Sequence, residues 1–336
     1  MYYKDLLRFR QAWLGVALLW IVLFHLPLDL GLLTYPAEIG YGGVDICFFA
    51  SGIGCFYSLS KEPGIEEFIK RRLKRLAPTY IVFIIVWLVC QYILGNFSIQ
   101  MALGNLFAVQ NFTGLGYDFN WYISAIFLAY ILAPYFMLIA KQASYANKVL
   151  FLLFLIAFSI PFWRANTYII TVTRFPIFYL GMVFADMCMK EKQISRTHLV
   201  CLIVSFVLGA VSLMAAFSFF SEHLWSHGLY WYPFILITPP LCIAISYVSM
   251  LLEKTKATKL LVSFLSLCGN YSFELYLVHI LLISCISILI NALDLSQISN
   301  LLWAASSILL IVGCYILRRF TTLICEFLHR NRSSNS

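Results

Sequence analysis

The chain has 336 residues, of which 62% are hydrophobic and only 11% charged, with a formal net charge of +8. A soluble globular domain carries about 25% charged residues, so this composition excludes a water-covered exterior for most of the chain. It also excludes a transmembrane barrel, because the apolar residues come in continuous blocks instead of alternating with polar ones.

Blocks of about 17–25 apolar residues, each able to cross a hydrocarbon core of about 30 Å, recur down the whole length. They predict spans at roughly 12–33, 41–60, 79–95, 120–140, 148–163, 174–190, 199–220, 232–252, 264–290 and 300–317. The expected fold class is all-α: a polytopic membrane protein of about ten transmembrane helices in a single domain over residues 1–336, with no appended soluble domain. Lys4, Arg8 and Arg10 precede the first span with no small-x-small cleavage site after it, so it is read as an uncleaved helix.

That first span carries IVLFHLPLD (21–29). An ionisable group at the centre of a membrane helix costs at least about 2.5–3.5 kcal/mol, so those that remain are functional candidates. They are His25, Asp29, Asp45, Asp186, Glu274 and His279. His25 lies on the order of 20 Å above the start of its span at 1.5 Å per residue. Asp29, four residues on, shares its face if the helix continues, while Pro27 weakens that helix and frees the Leu23 carbonyl. Neutral imidazole is the least costly ionisable group to bury, so a structural histidine bonded to a neighbouring helix is the alternative. His279 is expected at similar depth in the ninth span, with Glu274 on a different face. Asp186 is expected to pair with Lys190, four residues on.

KEPGIEEFIKRRLKRLAP (61–78), read as a loop, holds six cations, including Arg71, Arg72 and Arg75. Arginine suits bidentate phosphate contacts, so an anionic cosubstrate is one reading and anionic lipid headgroups the other. Segment 96–119 is interrupted by glycines and is expected to be a loop or re-entrant element. Trp121, Tyr122, Trp225, Tyr230 and Trp231 fall where an outer aromatic belt is expected. The ten cysteines are scattered, with no CxxC pair and no Cys/His cluster, so neither a metal site nor a disulfide framework is expected.

Positive charge orients the spans. Threading them alternately puts 21 of the 23 lysines and arginines on one side, leaving only Arg164 and Arg174 on the other. Both termini are therefore expected in the cytoplasm, and the basic balance reads as topology, not as a nucleic-acid signature.

Five stretches in order resemble the acyltransferase 3 family, integral membrane enzymes that acylate carbohydrates and related surface molecules. GVDICFFASG (43–52) looks like its GVD-hydrophobic-SG stretch, and Arg72, Arg75 and Pro78 match R-x-x-R-x-x-P. NWYISAIFLAYILAP (120–134), which includes Trp121 and Tyr122, is similar to its WY segment. RFPIFYLGM (174–182), opening on Arg174, and NYSFELYLVH (270–279), with Glu274 and His279, are similar to its later motifs. The resemblance implies an acyl-CoA-dependent O-acyltransferase of the cell (plasma or inner) membrane, with acetyl-CoA as the usual cosubstrate and no bound cofactor. A carbohydrate or glycolipid is its acceptor. It implies a catalytic His25, Asp45 lining the site, and Arg72 and Arg75 at the donor. From the residues themselves His25 is read as the general base, Asp29 or Asp45 as the group that stabilises its imidazolium, and Arg71 as a further donor contact. The chain departs from the family in having Leu14 where an arginine is common, with Arg10 one turn below on the same face. A transporter, or a non-catalytic binding relative, is the alternative. Transporters are marked by inverted repeats and paired broken helices, and neither pattern is apparent here.

Overall fold

In lipid an apolar segment must close its backbone hydrogen bonds on itself, which leaves the α-helix. The computed structural model, which describes residues 2–28, 31–113, 120–164, 166–220 and 227–333, follows that rule. Among the described residues ten helical spans are long and apolar enough to cross a membrane. They are α1 (Tyr3–His25), α2 (Gly40–Leu59), α3 (Ile65–Ile93), α4 (Trp121–Gln142), α5 (Tyr145–Trp163), α6 (Tyr168–Met189), α7 (Arg196–Phe219), α8 (Tyr232–Leu252), α9 (Ser272–Ala292) and α10 (Ser299–Phe327). The protein is a multi-pass α-helical membrane protein. Several helix starts are written in the sequence: the side chains of Ser144, Ser195 and Thr255 accept the backbone N–H three residues on, each satisfying a first-turn donor.

Three boundaries differ from the sequence reading, each for a local reason. The first span ends at His25 instead of near 33. The residue before a proline is disfavoured in the helical region, and Leu26 is extended at φ −80°, ψ 127°. The cationic segment expected as a loop is the opening of α3, which starts at Ile65. Glu66 and Glu67 occupy its first turn, where the helix dipole favours acid. They pair four residues on with Lys70 and Arg71 at 2.5 and 2.9 Å. The ninth span starts at Ser272, not 264, because a separate helix, Lys256–Asn270, precedes it. Segment 96–119 contains two short helices, Ile99–Leu106 and Gln110–Thr113. The first is held by Asn105, whose side-chain oxygen accepts from Asn120 at 2.9 Å.

The centre of the bundle is α1, α2 and α6, with Trp13, Phe48, Phe49, Phe56, Phe178 and Tyr179 fully buried. α5 and α7 are peripheral, their apolar faces left for lipid. The α2–α6 contact depends on two glycines. A Cβ on Gly52 would lie 2.0 Å from the Phe178 carbonyl oxygen, and one on Gly181 would lie 2.2 Å from that of Phe49. Small residues let helix backbones approach this closely in membranes. Gly181→Ala is therefore expected to cost about 1–3 kcal/mol through overpacking, read as a lower thermal-unfolding midpoint in detergent. An unchanged midpoint would contradict this packing.

Ion pairs gather the basic segments onto one face. Lys4 meets Glu191 at 2.6 Å, Arg8 meets Glu253, and Asp186 takes both Lys148 at 2.9 Å and the expected Lys190 at 2.8 Å. Arg318 of α10 joins them from the far end of the chain through Glu274, at 2.8 Å.

Candidate functional site

One face of α1 carries Arg10, Leu14, Leu18 and Ile21, at steps of three and four residues, and all four line a cavity of about 70 Å³. His25 is the next residue on that face. From Arg10 to His25 the helix rises by about 22 Å at 1.5 Å per residue. The opposite walls are Val44, Cys47, Ala50, Ser51 and Gly54 of α2, Arg72, Arg75 and Leu76 of α3, Tyr122 and Tyr130 of α4, and Ser272, Phe273 and Tyr276 of α9.

The lower end of the cavity is cationic. The helical start of α3 explains which cations reach it. Arg72 and Arg75 are three residues apart and share a face, whereas Lys70 and Arg71 turn toward Glu66 and Glu67. Arg72 donates to the Gly54 carbonyl at 2.6 Å and sits between the rings of Phe68 and Tyr130, 5.2 and 5.5 Å from their centroids. A Cβ placed on Gly54 would lie 3.5 Å from the Arg10 guanidinium, so Gly54 is next to both Arg10 and Arg72. Arg10 Nε is buried without a hydrogen-bond partner. No carboxylate lines the cavity, and Arg10, Arg72 and Arg75 form no salt bridge among the described residues. Three uncompensated guanidiniums on one small cavity favour a polyanion. Arg71, expected next to Arg72 at the donor, is paired with Glu67 at 2.9 Å instead. Arg10 stands where the sequence placed it only as a substitute for an arginine at Leu14.

Beyond the cavity lining at Ile21 and Tyr276 lie two histidines. His25, the last residue of its helix, is exposed; His279 is 1% exposed. The two rings meet edge to face with centroids 5.1 Å apart. Tyr276, on the cavity wall, packs on His279 at 5.8 Å and on Tyr122 at 4.7 Å. His25 Nδ1 lies 2.8 Å from the Ile21 carbonyl, and His279 Nδ1 lies 2.9 Å from that of Leu275. A carbonyl only accepts, so both Nδ1 atoms donate. In each neutral ring the unprotonated nitrogen is therefore Nε2.

The acidic candidates have other partners. Arg174 donates to both Asp45 carboxylate oxygens at 2.5 Å, with both side chains 1% exposed. The guanidinium lies 6.0 Å from the Trp121 ring and 5.1 Å from that of Trp231. Trp231 is thus buried around an ion pair and is not part of an interfacial belt. Breaking a buried pair leaves a bare charge, at about 3–5 kcal/mol, so Asp45 and Arg174 depend on each other. Glu274 accepts from Arg318 through both carboxylate oxygens at 2.8 Å. Asp29 and Trp225 lie outside the described residues, and the helix that would have carried Asp29 on the His25 face stops at His25.

A family model described as an acyltransferase domain matches residues 13–319. No curated protein matches the chain, and no solved structure does.

Proposed function

The chain belongs to this acyltransferase family, whose model covers residues 13–319, and from that premise we propose that it transfers an acyl group from acyl-CoA to a hydroxyl of an exported carbohydrate or lipid-linked glycan. The observation that carries the donor assignment is the set of Arg10, Arg72 and Arg75 on a cavity without a carboxylate. Coenzyme A supplies phosphates for three guanidiniums and a long, thin thioester arm for a narrow cavity between apolar walls. Acetyl-CoA is the donor we take first.

The basic face is cytoplasmic by the positive-inside rule, where acyl-CoA is available, and His25 is at the other end of the same helix face. The acceptor hydroxyl approaches the exposed imidazole from the outer side of the plasma or inner membrane. His25 Nε2 takes the hydroxyl proton as the oxygen bonds to the thioester carbonyl carbon. The C–S bond breaks, and the CoA thiolate leaves with a proton. Neutral imidazole with a free Nε2 is the form a general base needs near neutral pH. Arg174 neutralises Asp45 and so fixes α6 against α2, holding up the wall that faces α1.

In proteoliposomes carrying the purified protein, acetyl-CoA with crude cell-envelope glycan should release free CoA in proportion to the protein present. Absence of release from folded wild type would contradict acyl transfer and favour the transporter or binding reading.

A further inference from the structure

When an oxygen adds to a thioester carbonyl, negative charge moves onto the carbonyl oxygen, and a donor already aimed at that oxygen is usually the largest single contribution to the rate. The base does not supply it: His25 Nδ1 is committed to the Ile21 carbonyl, and Nε2 carries the transferred proton. Nor do the guanidiniums. Arg10 lies about 22 Å down α1, Arg72 and Arg75 line the cavity with it, and Arg174 is paired with Asp45.

The cavity lining narrows the choice. Toward His25 it consists of Leu18 and Ile21 of α1, Val44 and Cys47 of α2, Tyr122 of α4 and Tyr276 of α9. Among these only the tyrosines carry hydroxyls. The Tyr122 hydroxyl bonds Ser51, which is three residues from Gly54 and so toward the arginines. Tyr276 is placed differently. Its ring packs on His279 at 5.8 Å, and His279 packs on His25 at 5.1 Å. Tyr276 precedes His279 by three residues, about 4.5 Å of helix rise, which puts it just below the base on the donor's side. There the thioester carbonyl sits when the acceptor oxygen lies between base and carbonyl carbon. The Tyr276 side chain also hydrogen-bonds the backbone of Tyr122, in the first turn of α4, where N–H groups have no partner within the helix. A phenol that accepts through its oxygen keeps its own O–H as a donor.

We infer that Tyr276 is the oxyanion donor of the acyl-transfer site: its hydroxyl donates to the thioester carbonyl oxygen and holds the negative charge that develops there. The inference rests on the acyl-transfer reading. The acceptor hydroxyl gives its proton to His25 Nε2 as its oxygen bonds to the carbonyl carbon. Tyr276 keeps its own proton throughout. When the C=O bond re-forms the C–S bond breaks, and the CoA thiolate takes the proton from His25.

Difference infrared spectroscopy of bound acetyl-CoA, isotopically labelled at the carbonyl carbon, reads this contact without turnover. A hydrogen bond to the carbonyl oxygen weakens the C=O bond, so the bound donor should absorb at lower wavenumber in wild type than in Tyr276→Phe. The same variant should lower kcat by about 10²- to 10³-fold, the scale for an oxyanion donor, with KM for acetyl-CoA and thermal unfolding in detergent unchanged. Equal wavenumbers in wild type and Tyr276→Phe overturn the inference, as does an equal kcat. A shift lost in Tyr122→Phe and kept in Tyr276→Phe also overturns it and assigns the role to Tyr122. A second replacement covers the case in which Tyr276→Phe does not fold. A ring-fluorinated tyrosine at 276, a stronger donor of the same shape, should lower the wavenumber further, and no further lowering overturns the inference. In each of these outcomes wild type still turns over, so the acyl-transfer reading survives. Absence of turnover in wild type removes the reading and the inference together.

Discussion

His25→Ala is expected to lower acetyl-CoA-dependent turnover by about 10²- to 10⁴-fold, the usual contribution of a positioned general base, and to leave both the fold and donor affinity intact. The fold should survive because His25 is the last residue of its helix and exposed. Among the described residues its ring hydrogen-bonds its own helix, through the Ile21 carbonyl, and no salt bridge or long-range hydrogen bond depends on it. Donor affinity should survive because Arg10 lies about 22 Å away along α1, with Arg72 and Arg75 on the same cavity as Arg10. Measured kcat and KM for acetyl-CoA in proteoliposomes check both halves. A kcat within threefold of wild type would remove His25 from the chemistry.

The Arg10→Ala/Arg72→Ala/Arg75→Ala variant is expected to act in the opposite way, raising KM for acetyl-CoA with a small change in kcat at saturation. A hydrogen bond to a charged group contributes about 1.5–3 kcal/mol, on the order of tenfold or more per guanidinium. Loss of the set should therefore weaken the donor by at least about a hundredfold. The folded state loses little, because among the described residues no carboxylate depends on these side chains and Arg72 gives up one bond to the Gly54 carbonyl. Lys70→Ala, in an exposed pair with Glu66, should leave KM unchanged. Adding Leu14→Arg to Arg10→Ala should restore part of the affinity, since Leu14 lines the same cavity one turn higher.

Much of this architecture was legible because membrane insertion is governed by length and polarity. Ten spans and the gathering of basic segments on one face follow from block hydropathy and charge bias, and Asp186–Lys190 follows from helical spacing. The errors have a common origin in what periodicity cannot see. An apolar count does not sense that Pro27 forces Leu26 to be extended, and so it ran α1 past His25. Nor does it distinguish an amphipathic helix from a membrane span, which merged residues 264–270, the end of the helix Lys256–Asn270, into α9. Reading the Arg-rich segment as a loop hid the helical face that sorts Arg72 and Arg75 from Arg71; the Glu66–Lys70 and Glu67–Arg71 spacing was the available signal.

The site was legible as a residue set and not as a set of partnerships. Nothing in the sequence pairs Asp45 with Arg174, 129 residues apart, or His25 with His279. Depth counting brought the two histidines to one level from a wrong span boundary; the contact itself comes from packing of α9 against α1. Arg10 was named only through the missing arginine at Leu14, and the family match begins after it, at residue 13.

Direct binding of acetyl-CoA to the detergent-purified protein, measured by titration calorimetry, tests most directly the central claim that the anion site and the base stand apart, at the two ends of one helix face. The account predicts that His25→Ala binds acetyl-CoA as wild type does while failing to turn over, and that the triple arginine variant loses binding. Donor binding that depends on His25 and is indifferent to Arg10, Arg72 and Arg75 would contradict it.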